Sequence, residues 1–303
     1  MSSPSHNKGL HSVEPLHPEV GAEIRGVDLA SHLDRSTIDL LHTLWMKYLV
    51  LVFPDQSITD EQHICFGRKF GDLEEHPSRA HRSSLNKEIY RVSNVDETGN
   101  IIPSNETAWQ YINLSWLWHT DSSFRKIPSK GSILHGIQTT KKGGHTRYAN
   151  MYAAYEGLPK NKRKQIDNLW VIHDHDFIIK QSAELSNKPD KGDYEALPPV
   201  RHPLVQIHPI TGRRSLFLSP HTMVGIEGMA DMKGRDLLDE LIVHTVNPKY
   251  VYTHVWTNDD VLMWDNRCTM HSVEPFDNLN IRRVMHRVTL VGENYPIPAR
   301  QNK

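Results

Sequence analysis

The stretch Trp116-Leu117-Trp118-His119-Thr120-Asp121-Ser122-Ser123-Phe124 places an imidazole and a carboxylate two residues apart inside an aromatic, strand-like run. Side chains at i and i+2 of a strand leave the same face, so His119 and Asp121 can grip one ion together. A second histidine from far along the chain would complete a two-histidine, one-carboxylate face, which leaves open positions on a non-haem Fe(II) for substrate and O2. The chain holds 20 histidines, so spacing must do the selecting. The other His-x-Asp, His32-Leu33-Asp34, precedes a helical pattern for which Asp34 is better used as the N-cap. The cluster His173-Asp174-His175-Asp176 looks metallic, but adjacent side chains alternate faces, and a polar strand end accounts for it better than a second metal site.

The candidate for the second histidine is His271, which ends the run Val261-Leu262-Met263-Trp264-Asp265-Asn266-Arg267-Cys268-Thr269-Met270-His271. Taken alone, an apolar strand meeting a polar turn makes His271 an ordinary turn residue more readily than a ligand. Cys268 among Met, Trp and Val reads as a neutral buried thiol rather than a metal ligand. In the following strand-like segment, Arg282-Arg283-Val284-Met285-His286-Arg287-Val288-Thr289-Leu290, residues Arg283, Met285 and Arg287 share a face. Two guanidiniums on one face of an apolar strand repel unless they meet anions, so an acidic co-substrate is implied; two surface ion pairs are the other reading.

The elements that must position these groups are mainly strands. A helix over about 36–48 is followed by the buried strand Tyr48–Phe53, and Thr59 with Gln62 forms a capping box opening a helix through Phe70. Further strands are expected at 88–92, 131–137, 203–208, 214–218, 250–256, 260–264 and 283–291, with helices at 151–158, 160–169 and 232–245. The run Lys141–Tyr148, containing Gly143-Gly144, reads as a turn. No regular βαβ alternation is visible, which suggests an antiparallel β core with helices packed outside, in one domain over 1–303. Residues 1–9 read as a tail, and the irregular stretches 76–117 and 173–199 as lid or substrate loops, with His208 and His221 facing the same pocket.

Composition narrows the class. With 35 basic against 36 acidic residues and 38% hydrophobic residues, nothing calls for a nucleic-acid or membrane surface as partner. Two cysteines cannot build a disulfide framework and suit a reducing cytosol, and no signal peptide or spanning segment is evident, so a cytoplasmic protein is expected.

Several motifs together carry a family resemblance: Trp118-His119-Thr120-Asp121 with Phe124, Gly143-Gly144-His145-Thr146, Trp264-Asp265-Asn266-Arg267 running to His271, and Arg282-Arg283-Val284-Met285-His286-Arg287. From about Gly21 to Gly292 the chain resembles the Fe(II)/2-oxoglutarate-dependent dioxygenases typified by taurine dioxygenase and 2,4-dichlorophenoxyacetate dioxygenase, the TauD/TfdA family. The resemblance implies a double-stranded β-helix, a cupin-like jelly-roll with flanking helices. It makes His119, Asp121 and His271 the iron ligands and catalytic centre. Thr146 would hydrogen-bond the distal carboxylate of 2-oxoglutarate while Arg283 forms its salt bridge, with Arg282 the neighbouring competitor. Arg287 would lie near the C1 carboxylate or the anionic group of the prime substrate.

The activity so implied is hydroxylation of a small anionic substrate, an aryloxyalkanoate or sulfonate, with succinate and CO2 released from 2-oxoglutarate. Hydroxylation beside a heteroatom would collapse to a carbonyl and a leaving group. Relatives suggest a homo-oligomer, a dimer or tetramer. Two other readings of the residues are a non-catalytic metal-binding sensor on the same jelly-roll and a zinc hydrolase, which also uses two histidines and a carboxylate.

Overall fold

The computed structural model describes residues 10–75, 81–106, 109, 112–177 and 197–300. Its centre is a seven-stranded sheet in the spatial order Ser12–Pro15, Ala22–Arg25, Val50–Phe53, Val261–Asp265, Gly131–Gln138, Val284–Leu290 and Tyr90–Arg91. A three-stranded sheet, Val251–His254, Thr146–Asn150 and Thr269–Val273, carries the other half of the site. Val52, Leu134, Leu262, Trp264 and Met285 of the large sheet join Tyr148 of the small one in a single buried cluster, so the two sheets pack face to face. This is the β-sandwich of a jelly-roll, with helices to the outside.

The opposite face of the large sheet is covered by the helices Arg35–Tyr48 and Asp60–Gly67, whose Leu41, Trp45, Ile64 and Phe66 pack with Leu51, Phe53, Ile133, Met263 and Val288. Burial on both faces explains why Val50–Phe53 and Val261–Asp265 are buried at every position and show no polar alternation. Asp34 caps the first helix by accepting from Thr37 N at 2.7 Å, and the capping box of Thr59 and Gln62 is complete; each such cap contributes about 1 kcal/mol. A third cluster joins the helices Met151–Glu156 and Asp231–Thr245 to the strands Val205–Ile207, Arg214–Leu216 and Met223–Ile226.

The antiparallel expectation holds except at one edge. Ala22–Arg25 runs parallel to Val50–Phe53, and the chain between them passes through the helix Arg35–Tyr48, because parallel neighbours need a crossover that a hairpin cannot supply. The turn expected over Lys141–Tyr148 passes into a strand at Thr146–Asn150, and the polar turn expected before His271 into the strand Thr269–Val273. The run 116–124, expected to be strand-like, holds only a single bridge at His119, between a 3-10 turn at Leu114–Trp116 and a turn from Asp121. Smaller differences lie at the ends of elements, with the strand expected over 88–92 reduced to Tyr90–Arg91 and the helices closing at Gly67, Glu156 and Ile166. Among the described residues no helix is long and apolar enough to cross a membrane.

Candidate active site and metal centre

His119 and His271 are direct cross-strand partners. Each donates its backbone N–H to the other's carbonyl at 2.8 Å, so both imidazoles leave the same side of the ladder, with ring centroids 4.2 Å apart. Asp121, two residues after His119, turns its carboxylate between them: Oδ1 lies 4.0 Å from His119 Nε2 and Oδ2 3.9 Å from His271 Nε2. The three donor atoms all fall within 4.8 Å of one another, and the residues are buried to 9% exposure or less. The Leu117 carbonyl lies 2.8 Å from His119 Nδ1 and can only accept, so that nitrogen holds the proton and Nε2 keeps a lone pair toward Asp121.

Electrostatics set the donors in ligand form. Burial lowers the pKa of His119, and burial together with His119 lowers that of His271 well below the usual range, so both rings are neutral at neutral pH. For Asp121 burial works the other way, but Arg287, His271, His119 and the Ser132 hydroxyl outweigh it and hold the carboxyl well below the usual carboxylate range. Two neutral imidazoles and one carboxylate are the donor set that suits a non-haem Fe(II) with open positions.

One cavity is lined by His119, Asp121, His271, Thr146, Arg283 and Arg287, so all six residues singled out in the sequence converge. Arg283 is 3% exposed and stands just before the strand Val284–Leu290, where Asn94 Oδ1 accepts from its backbone N–H at 2.7 Å. Its Nε donates to the Gly144 carbonyl at 3.1 Å, while Nη2 has no partner among the described residues. Burial brings its pKa down from 12.5 to about 10, with Tyr148 opposing. The turn that brings Gly144 there needs its glycines: Gly143 sits at φ 70°, and a Cβ on it would lie 2.4 Å from the Pro275 carbonyl oxygen. Thr146 Oγ1 accepts from Trp256 Nε1 at 2.9 Å, which leaves its hydroxyl proton free to donate. Arg287 Nη1 donates to Asp121 Oδ1 at 2.6 Å, its guanidinium lies 4.7 Å over the Tyr90 ring, and its Nε has no partner among the described residues.

Other candidates resolve differently. Arg282 is exposed, so the cavity takes Arg283 and not its neighbour. His221 lines the cavity, its ring 5.5 Å from that of His119. His208 does not; it is buried elsewhere, with Nε2 3.1 Å from Asp265 Oδ2. Cys268 is buried and unpaired, and burial raises its thiol pKa well above the ordinary value. It forms a second possible donor group with His208 and Asp265, but Arg267 holds Asp265 through both guanidinium and backbone. His173 Nδ1 lies 2.8 Å from Thr222 Oγ1, a use for the 173–176 cluster that needs no metal. Of the stretch 76–117, Tyr90, Val92, Ile112 and Ser115 line the cavity; residues 178–196 of the second expected loop, and the tail 1–9, lie outside the described residues. Sequence reasoning missed Ser132, Trp256 and Asn94, whose roles rest on hydrogen bonds to distant residues and leave no local pattern.

Comparison with known proteins agrees with this geometry. The family model "Taurine catabolism dioxygenase TauD, TfdA family" matches residues 12–289. The chain is 31% identical over 288 residues to the (S)-phenoxypropionate/alpha-ketoglutarate-dioxygenase of Sphingobium herbicidovorans, covering 93% of this chain and 95% of that protein. It is 32% identical over 289 residues to the alpha-ketoglutarate-dependent 2,4-dichlorophenoxyacetate dioxygenase of Cupriavidus pinatubonensis, covering 92% and 97%. Among solved structures, that of AAD-2 in complex with Mn(II) and N-oxalylglycine superposes with a TM-score of 0.84 at 33% identity, covering 94% of this chain and all of that one. With the matched model spanning nearly the whole chain and full-length relatives above 30% identity, the chain belongs to the TauD/TfdA family of dioxygenases.

Proposed function

We propose that His119, Asp121 and His271 hold the Fe(II) of this alpha-ketoglutarate-dependent dioxygenase, that Arg283 and Thr146 bind the distal carboxylate of 2-oxoglutarate, and that Arg287 receives the anionic group of a small prime substrate. The observation that carries the reading is Arg283: a buried guanidinium without a carboxylate among its described neighbours, in the same cavity as the two histidines and the aspartate. A buried charge of this kind is costly unless an anion joins it, so the cavity is built for an acid. A metal-binding sensor would have no use for that anchor.

Fe(II), when bound, supplies with O2 the oxidative decarboxylation of 2-oxoglutarate to succinate and CO2 and the transfer of one oxygen atom to a substrate carbon. The residues of the chain bind and orient. Arg283 offers Nη2, and Thr146, already accepting from Trp256, offers its hydroxyl proton to the same carboxylate. Arg287 is held between Asp121 and the Tyr90 ring, which leaves Nε to donate to a second acid in a fixed direction.

The relatives are named for aryloxyalkanoic acids, and such an acid is the substrate class proposed for this chain. Hydroxylation of the carbon bearing the ether oxygen yields a hemiacetal or hemiketal, which breaks its C–O bond to release a phenol and an oxo acid. Two unpaired cysteines, one exposed and one buried, suit the cytoplasmic placement. The test is a succinate and phenol release screen over aryloxyalkanoic acids, sulfonates and sulfate esters. Turnover must require Fe(II), O2 and 2-oxoglutarate together. Turnover with Zn(II) under anaerobic conditions would instead identify a hydrolase.

A further inference from the structure

Four polar side chains run from the interior of the large sheet to Asp121, and the chemistry of the first fixes the direction of every hydrogen bond after it. Trp264 Nε1–H, which can only donate, lies 2.9 Å from Asn266 Oδ1. The Asn266 amide is thereby oriented, and its Nδ2 donates to Ser129 Oγ at 3.0 Å and to Ser132 Oγ at 3.2 Å. Each serine accepts from Asn266 and so must place its own proton elsewhere. Ser132 donates to Asp121 Oδ2 at 2.7 Å, and Ser129 donates to the Asp121 backbone carbonyl at 3.2 Å. Asn266, Ser129 and Ser132 are 1%, 1% and 0% exposed, so bulk water does not compete for these bonds.

We propose that Asn266 and Ser132 are positioning residues for the metal centre. One amide holds both the main chain and the carboxylate of Asp121, and it does so from the segment joining Val261–Asp265 to Thr269–Val273, the strand of His271. The carboxylate is thus registered against the strand pair that delivers the far histidine before any ion arrives. Arg287 takes Oδ1 and Ser132 takes Oδ2, so neither oxygen can rotate away without breaking a buried bond. The inference rests on the reading of His119, Asp121 and His271 as metal ligands.

The test is Co(II) binding to the full-length apoprotein, followed by its visible absorption, with melting temperature recorded for each variant. Wild type is expected to bind one Co(II), and His271→Ala to abolish binding. Ser132→Ala, which removes only the hydroxyl, should weaken Co(II) binding by about 10- to 100-fold while melting within a few degrees of wild type. Ser132→Thr, which restores the donor, should return within threefold of wild type. Asn266→Asp keeps the shape but cannot donate; it draws the Ser132 proton to itself and should weaken binding at least as much as Ser132→Ala. Ser132→Ala and Asn266→Asp both binding Co(II) within threefold of wild type would overturn the inference, as would a Ser132→Thr variant as weak as Ser132→Ala. A wild-type protein that binds no Co(II), or a His271→Ala variant that binds it normally, would overturn the metal-centre reading itself.

Discussion

Replacing Arg283 by Met should separate stability from function. In the apoprotein the guanidinium is 3% exposed, and burial moves its pKa from 12.5 to about 10. A displacement of that size is about 3 kcal/mol against the charged form. The side chain recovers part of this through Nε, whose bond to the Gly144 carbonyl at 3.1 Å is worth about 1.5 to 3 kcal/mol for a charged donor. The two nearly cancel, so Arg283→Met should leave apoprotein stability within about 1 to 2 kcal/mol of wild type, a few degrees in Tm. Binding behaves otherwise. Loss of a buried, hydrogen-bonded charge partner costs a ligand carboxylate about 2 to 5 kcal/mol, or about 30-fold to several thousand-fold in affinity. Calorimetric titration of 2-oxoglutarate into Mn(II)-loaded protein, beside scanning calorimetry of the apoprotein, measures both. Binding within threefold of wild type would refute the assignment of Arg283. An apoprotein loss beyond about 3 kcal/mol would refute the near-balance of burial cost and hydrogen bond at this side chain.

Three further outcomes are expected. Arg287→Ala should raise the KM for the prime substrate by about 30-fold or more in iron-saturated protein and, because Nη1 also holds Asp121 Oδ1, should weaken metal binding as well; an unchanged KM in the iron-saturated variant counts against its role as the substrate anchor. Gly143→Ala, which forces a side chain to φ 70° and a Cβ 2.4 Å from the Pro275 carbonyl oxygen, should cost about 1 to 3 kcal/mol in urea unfolding; an unchanged midpoint would show that the turn relaxes freely. His63 is fully buried, and burial with the nearby His135 brings its pKa from 6.5 to about 3. Below pH 6.5 the unfolded chain takes up a proton that the folded chain refuses, so stability is full above 6.5 and is lost as pH falls toward about 3. At pH 5 the loss from this residue is about 2 kcal/mol, and His63→Gln should flatten the stability slope between pH 7 and 5 by about one proton. An unaltered slope would contradict the burial argument.

His119 and Asp121 were legible because their spacing is local, although the run is not the strand expected: Leu114–Trp116 is a 3-10 turn, His119 makes a single bridge to His271, and the chain turns from Asp121 onward. His271 was not legible from spacing, since its pairing with His119 is long-range, and the family motifs alone identified it. Its strand, Thr269–Val273, is buried at all five positions, and a segment covered on both faces loses the polar alternation by which strands are recognised. Thr146–Asn150 was hidden in the same way behind the Gly143-Gly144 turn, with four of its five positions buried. The parallel edge pair escaped notice because one βαβ crossover leaves no repeating signature. Arg283 was chosen over Arg282 by register, and the alternation of burial along 282–287 follows that register. Ser132 and Trp256 are ordinary in sequence, and their importance exists only where distant strands bring them to Asp121 and Thr146.

The doubled backbone bond between His119 and His271 leaves this centre no gradual way to change. Slippage of either strand by a single residue would send one imidazole through to the reverse side, so insertions or deletions in 119–121 or 269–273 should abolish metal capture outright rather than weaken it. Change at this centre is therefore confined to exchanging side chains on an unmoving frame, and changes of length are expected to be tolerated only in the connecting segments around the cavity mouth.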